Sequence, residues 1–251
     1  MTYNVHSCVG MDGKLSPARI AKVIERFSPD IIALQEIDVG RARSEHLDQA
    51  RAIANELEMV FHFSPAMHVK EERYGDAILS RYAMSLQKAG VLPRQVKRAD
   101  VEPRGALWVE VDVGNGVKLQ VINTHMGLER KERELQAESL LGKGWVKNPK
   151  CIGPIVVCGD FNATPRSKVC RMFKEVLVDA HSGEEDSSSL ERYPLSVGNG
   201  SNTWHVQWPV CRIDHIFVSE GIKVIDSFVP HNELTRIASD HLPVIVDIEL
   251  V

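Results

Sequence analysis

Cysteine is sparse and unpatterned: five residues, Cys8, Cys151, Cys158, Cys170 and Cys211, lie scattered through 251 positions. Their number is odd and no CxxC spacing occurs, which argues against a disulfide framework and against a cysteine-built zinc site. Reduced thiols in a cytoplasmic protein are the expectation. No apolar run is long enough to span a bilayer, and the start Met1-Thr2-Tyr3-Asn4 lacks the basic region and apolar stretch of a secretory signal. No Pro/Gly/Ser-rich linker divides the chain, and no repeat or low-complexity segment occurs. One domain spanning residues 1–251 is therefore expected. Basic residues are not in excess either: 30 Lys and Arg face 34 Asp and Glu, a net charge of −4. That balance disfavours a protein that grips duplex DNA through many phosphates.

What is present is an ordinary globular composition, 43% hydrophobic and 25% charged. A strand opens the chain at residues 3–6. Ser16-Pro17 starts a helix, with Ser16 as cap and Pro17 at the first helical position. Ile20, Val23, Ile24 and Phe27 give it an apolar stripe, and Pro29 ends it. Residues 31–34 read as a buried strand that stops at Gln35-Glu36. A second helix is expected over residues 45–58, with Leu47, Ala50, Ile53, Ala54 and Leu57 on one face. Strands follow at 59–64, 77–79, 85–92, 105–113 and 118–124. The last two form a hairpin through Gly114-Asn115-Gly116. Residues 129–146 read as a polar-rich helix burying Leu135, Leu140 and Leu141. Further strands are expected at 155–158, 203–204, 213–218, 224–229 and 244–250, with a helix over 167–176. Many strands with a few long helices define a mixed α/β protein, two packed sheets covered by helices.

Polar residues recur at the ends of these apolar strands. Val156-Val157-Cys158-Gly159-Asp160-Phe161-Asn162 is the central instance: alternation points Asp160 and Asn162 one way and Phe161 into the core. Asn4, Glu36, His125 and Asp240-His241 also flank strands, and Asp214 sits among Ile213, Ile216 and Phe217. Each has a plain alternative: a turn residue, a surface acid, or a core or rim histidine, the last kept for His215. Together they suit one chemistry. Glu36, Asp160, Asp240, Asn4 and Asn162 are hard oxygen ligands, apt for Mg²⁺ or Mn²⁺ rather than zinc. Asp214 can orient the imidazole of His241, and His125 is a second imidazole. Such a set can hold a phosphate, activate a water and stabilise a transition state.

Thr2-Tyr3-Asn4-Val5-His6, Leu34-Gln35-Glu36, Ala77-Ile78-Leu79-Ser80-Arg81, Asn123-Thr124-His125, Gly159-Asp160-Phe161-Asn162, Arg212-Ile213-Asp214-His215 and Ser239-Asp240-His241-Leu242-Pro243 follow one another in an order that resembles the endonuclease/exonuclease/phosphatase superfamily. The resemblance covers nearly the whole chain. It implies a four-layer α/β/β/α sandwich of two mixed sheets and a Mg²⁺-dependent phosphohydrolase. It implies Glu36 as main metal ligand with Asn4 beside it, and Asp240 lining the metal site. Asp160 would position or deprotonate the attacking water, and Asn162 would hold a phosphate oxygen. His241, paired with Asp214, would act as acid/base or charge stabiliser. His125 would bind the phosphate from the other side. Whether Asp160 or His241 is the general base stays open. Arg104 matches a phosphate-contacting arginine of deoxyribonuclease I, and Asp76 is a candidate to orient His125; a solvated arginine and a turn aspartate are the alternatives. The histidine at 125 departs from the abasic-site repair branch, which carries Tyr and Asn there. It points to the branch of deoxyribonuclease I, sphingomyelinases and 5-phosphatases.

Substrate choice is less legible. Trp204 and Trp208 precede the Asp214 strand near the expected substrate mouth. They could stack on a base, line a lipid pocket or pack, and packing is the default for tryptophan. The charge balance and the acidic stretch Gly183-Glu184-Glu185-Asp186 favour a small-molecule or lipid phosphodiester. Nucleic acid is the alternative substrate, peripheral lipid contact is compatible, and a catalytically dead binding cleft is the non-enzymatic alternative.

Overall fold

The computed structural model describes residues 1–94, 102–181 and 200–251. The acidic stretch 183–186 lies outside them. Twelve strands among the described residues form three sheets. Strands β1 (Thr2–Asn4), β2 (Ile31–Val39), β3 (Val60–Val69) and β4 (Glu72–Ser80) make the first, in the order β1-β2-β4-β3. Strands β5 (Met84–Val91), β6 (Gly105–Asp112), β7 (Lys118–His125), β8 (Ile155–Asp160), β9 (Val178–Asp179) and β10 (Asp214–Val218) make the second, ordered β5-β6-β7-β8-β10-β9. Strands β11 (Ile222–Phe228) and β12 (Ile245–Leu250) pair as a ribbon.

Three apolar clusters define four layers. Helices α1 (Pro17–Phe27) and α2 (Gln49–Glu56) place Ile20, Ile24 and Ile53 against Ile32, Leu34 and Leu79 of the first sheet. Helices α3 (Arg130–Leu140) and α4 (Lys168–Lys174) place Ala137, Leu140 and Phe173 against Ile122, Val157 and Phe217 of the second. Ala33 and Ile78 meet Leu107, Val109, Cys158 and Ile216 in the seam between the sheets. This is the α/β/β/α sandwich expected from the sequence. The central strands, covered on both faces, read as short apolar runs, whereas the edge strands β3 and β5 are mostly half-buried or exposed.

Local chemistry accounts for the helix ends. Ser16 Oγ accepts from Arg19 N at 3.2 Å, and Ser28 closes α1 in the left-handed conformation. Helix α2 begins at Gln49 rather than at 45. Glu45 and His46 have positive φ and cannot propagate a helix, so Asp48 caps it, accepting from Arg51 N at 3.0 Å. Leu47 consequently lies outside the helix and is exposed. Helix α3 ends at Leu140 rather than 146, in turns around Gly142. Its buried face is Glu132, Gln136, Ala137 and Leu140; Leu135, expected inside, points outward. Gln136 replaces it because its side chain is a tether, accepting from Gly127 N at 2.8 Å. The short helix α5 (Glu233–Ala238) carries an Asn232–Thr235 capping box. The hairpin at 114–116 forms as expected, with all three residues at positive φ. Trp204 is held by isolated bridges to Cys211 and His241 rather than in a strand, and Thr203 N donates to Cys211 O.

Among the described residues, no helix is long and apolar enough to cross a membrane.

Candidate active site

The site forms where both sheets end on the same side. Strand β8 pairs parallel with β7 and antiparallel with β10, and the registers His125↔Asp160 and Asp214↔Asp160 put three polar side chains abreast. Gly159 makes this approach possible: its φ is +140° and a Cβ there would lie 1.8 Å from Thr124 O. Phe161, fully buried, anchors the turn that follows. It packs edge-on against Phe173 at 4.9 Å and near Phe217 at 5.4 Å between ring centroids. Strand β8 ends at Asp160, and Asn162 lies beyond it with φ +47°. Simple strand alternation therefore does not continue to Asn162. Both side chains still reach His125: Asp160 Oδ2 lies 3.4 Å and Asn162 Nδ2 3.2 Å from its Nε2.

The first sheet supplies the other half. Strand β2 bulges between Leu34 and Ile37, and Glu36 sits in that irregularity at φ +60°. The bulge turns Glu36 out of the core while the strand runs on to Val39, so the strand does not stop at Glu36. Asn4 bridges the two sheets, its Nδ2 donating to Glu36 Oε1 and Asp160 Oδ2 at 3.0 Å each. Its Oδ1 accepts from His6 N at 3.1 Å. Asn4 thus meets the two carboxylates through its nitrogen and holds them.

His241 and Asp214 close the third side, with Nδ1 and Oδ2 2.9 Å apart. His241 Nε2 faces Asp160 Oδ2 at 3.8 Å. Burial works against a charged His241, but the Asp214 charge, their hydrogen bond and the charges of Asp160 and Asp240 prevail, lifting it to about 10. Burial pushes Asp160 up to about 7, helped by the Asp214 charge and opposed by His241 and by hydrogen bonds from Asn162 N and Asn4. His125 is held well below its ordinary value by burial, then by the charges of Arg104 and His241. The surroundings thus favour charge on His241 and disfavour it on His125.

Arg104 is buried, with Nη1 3.1 Å from His125 Nδ1 and 3.1 Å from Glu102 Oε2. The solvated-arginine alternative does not hold. Asp76 lies within β4, not ahead of it, and is buried. The partner on His125 Nδ1 is Arg104, not Asp76. Asp76 Oδ1 has no hydrogen-bond partner among the described residues, and burial raises its carboxyl well above the usual range against the pull of Arg104. Asp240 is half-buried, with Oδ1 3.9 Å from His6 Nδ1. His215 keeps the core role expected of it, its Nε2 2.7 Å from Ala163 O. Trp204 bridges His241 through its backbone and is 37% exposed, and Trp208 is 80% exposed. Packing, the default for tryptophan, does not describe Trp208.

Four positioning residues carried no individual signal in the sequence. Gln35 Nε2 donates to Asn123 Oδ1 at 2.7 Å and to Thr2 Oγ1 at 3.0 Å. Asn123 Nδ2 donates to Leu34 O at 2.8 Å and Ala77 O at 2.9 Å. This clasp joins the two sheets one residue before Glu36 and two before His125. Thr203 Oγ1 accepts from Ile213 N and Asp214 N at 3.1 and 3.3 Å, and Ser239 Oγ donates to Asn4 O at 2.8 Å. The motifs containing Gln35, Asn123 and Ser239 were visible; their cross-sheet partners are far away in sequence.

The donor set fits a hard cation. Glu36, half exposed beside the buried Asp160, offers carboxylate oxygens at an open face, and Mg²⁺ commonly takes one or two carboxylates with waters rather than an all-protein cage. Among the described residues, the carboxylates and imidazoles close enough to share an ion are Asp160, Asp214 and His241, with ligand atoms within 4.8 Å. That trio is already joined by the Asp214–His241 hydrogen bond.

A carboxylate-rich mouth, a cationic imidazole and a buried arginine at the joint end of two sheets define a phosphoester hydrolase. The chain belongs to the Endonuclease/Exonuclease/phosphatase family, whose model matches residues 1–241. Members of this family are typically metal-dependent. A comparison with curated proteins found no match. Among solved structures, the chain is similar to an endonuclease/exonuclease/phosphatase from Bacteroides vulgatus, at 21% identity and TM-score 0.75, covering 100% of this chain and 97% of that one. It is also similar to a mannosyl-6-phosphatase of Bacteroides thetaiotaomicron, at 20% identity and TM-score 0.69, covering 99% and 98%. The human Nocturnin catalytic domain with bound sulfate matches at 20% identity and TM-score 0.67, covering 99% and 92%. At these identities the likeness is one of fold.

Proposed function

We propose that this chain is a Mg²⁺- or Mn²⁺-dependent phosphodiesterase acting on a small-molecule or lipid phosphodiester, working as one domain in the cytoplasm. The observation that carries the reading is the pairing of opposite roles around Asp160. Asp160 faces a cationic His241 on one side and a neutral His125 on the other, with Asn4 tying it to Glu36.

Glu36 would hold the metal, with Asp240 lining its site and Asn4 fixing the carboxylates; when bound, the ion would supply charge for a phosphate oxygen and for the attacking water. Asp160 takes the proton of that water. His241 is already protonated, so it serves as a charge stabiliser whose Nε2–H faces the reacting phosphate. Asn162 and His125 hold a phosphate oxygen on the opposite side. Arg104 supports them from beneath.

Exposed apolar side chains on segments adjoining the site residues favour this substrate class. Trp208, Val210 and Leu128 are 80%, 71% and 70% exposed on the segments that follow His125 or lead to Asp214. Trp208 could stack on a base, but the aliphatic Val210 and Leu128 add nothing to stacking and suit an acyl chain or an apolar leaving group. Five free thiols, three of them buried, are consistent with a reducing compartment. The test is a panel of plasmid DNA, bis-p-nitrophenyl phosphate, p-nitrophenyl phosphate, a glycerophosphodiester and a phospholipid, at low salt with Mg²⁺, Mn²⁺ or EDTA. A higher kcat/KM for the lipid or glycerol diester supports the reading. Faster DNA nicking, falling steeply with salt, replaces it with a nuclease.

A further inference from the structure

The guanidinium of Arg104 has five N–H donors and no acceptor. Its Nη1 stands 3.1 Å from His125 Nδ1, with both groups buried. Only a lone pair on Nδ1 makes that contact attractive. A neutral imidazole has one proton, so it must sit on Nε2. Around Nε2 stand an acceptor, Asp160 Oδ2 at 3.4 Å, and a donor, Asn162 Nδ2 at 3.2 Å. The amide of Asn162 is oriented by a second contact: its Nδ2 donates to Met126 O at 3.0 Å, where an oxygen would be repelled. His125 Nε2–H and Asn162 Nδ2–H therefore converge as two donors beside one another. Asp160 Oδ2 at 3.4 Å is the acceptor that Nε2–H has in the structure and the Asn162 amide is not one, while a single anionic oxygen between the two donors would accept from both.

We infer that Arg104 is a positioning residue that fixes His125 as the Nε2–H tautomer, so that His125 and Asn162 form a two-donor cradle for one non-bridging phosphate oxygen. The cradle's ligand rests on the phosphoester reading above; the tautomer does not. Glu102, 3.1 Å from the guanidinium, holds Arg104 from its solvent side. A carboxylate in place of Arg104 would demand a proton on Nδ1 and leave Nε2 as an acceptor, facing a phosphate oxygen lone pair to lone pair. The arginine thus decides whether this imidazole attracts or repels the substrate.

The experiment is long-range ¹H–¹⁵N correlation spectroscopy of the full-length ¹⁵N-labelled protein without substrate, with His125 assigned by its loss in His125→Gln. Wild type should show Nε2 protonated and Nδ1 bare. Arg104→Lys keeps a donor without an acceptor and should keep that tautomer and most of kcat. Arg104→Met releases Nδ1, and should give a tautomer mixture and a fall in kcat of about 10–100-fold, the range for losing an orienting partner. A wild-type Nδ1–H tautomer, or an unchanged Nε2–H tautomer in Arg104→Met, overturns the inference. If Arg104→Met does not fold, the wild-type and Arg104→Lys spectra decide it. An intact tautomer in a protein that hydrolyses no phosphoester in the panel would overturn the functional reading and the cradle's ligand while leaving the positioning role standing.

Discussion

Asp214 Oδ2 and His241 Nδ1 stand 2.9 Å apart in a buried pocket, and their shared proton ties strand β10 to the segment ahead of β12. The bond spends the Nδ1 proton on the carboxylate and leaves Nε2 facing Asp160. Against the cost of burial, the charges of Asp214, Asp160 and Asp240 favour the cationic form of His241 over the neutral one that a base would need. In the proposed mechanism the base is accordingly Asp160 rather than His241.

Asp214→Asn keeps the shape of the pair and removes its charge. We expect kcat to fall by about 10²–10⁴-fold and the basic limb of the kcat–pH profile to move from near 10 toward the free value of about 6.5. The same pair contributes to stability. His241 has a folded value above its unfolded one, so the contribution is complete below about 6.5 and fades as pH rises through about 10. Urea midpoints of wild type and Asp214→Asn should differ most at pH 6 and converge above pH 10.

Asp160 has the opposite linkage. Its folded value of about 7 lies above 3.8, so ionising it costs stability as pH rises through that window, and the cost stays above it. Asp160→Asn should therefore abolish most turnover, by about 10²–10⁴-fold, while raising the melting temperature at pH 8 in the presence of EDTA. A lower melting temperature would show that the carboxylate is not held against its preference.

Glu36→Gln leaves the bulge and its contact with Asn4 but removes a ligand charge. Calorimetric titration with Mn²⁺ should show affinity lowered by tenfold or more, roughly the lower end for a disturbed metal site. Excess EDTA should silence wild type, and full activity in EDTA would remove the metal from the reading. In the loaded wild-type enzyme Glu36 should ligate at about 2.1 Å for Mg²⁺.

Gly159→Ala tests the packing beneath the site. The added methyl meets a backbone oxygen at 1.8 Å, at a φ of +140° that L-residues rarely adopt. Strands β7 and β8 must separate to admit it. Denaturant unfolding should show a loss above ~2 kcal/mol or no folded protein, the scale of backbone strain in a packed core.

Much of this was legible in the sequence because it is local. Strands between two covered layers become apolar runs, so their polar ends stand out, and Glu36, His125, Asp160 and Asp214 could be listed before any contact was known. What was not legible depends on distant partners or on single dihedrals. The start of α2 turned on the positive φ of Glu45 and His46, which acid and imidazole side chains do not announce. Leu135 was assigned inward by periodicity, but Gln136 had a tether to Gly127 that rotated the face. Asp76 was the candidate to orient His125, and Arg104 a candidate phosphate contact. Only three-dimensional proximity gave Nδ1 to the arginine.

The clasp of Gln35 and Asn123 bears on how many ways the sandwich can be assembled. An oily seam of Ala33, Ile78, Leu107 and Val109 is non-directional, and one sheet displaced along the other would bury nearly as much. Two amides whose hydrogen bonds reach Thr2, Leu34 and Ala77 accept a single alignment, since any slip strands buried donors at about 1–3 kcal/mol apiece. They act as the dowel of the joint. A hydrophobic replacement of both, Gln35→Leu with Asn123→Leu, removes the penalty for misalignment along with the bonds. The sandwich would still assemble, but as a set of slipped neighbours in which Glu36 and His125 no longer keep one separation.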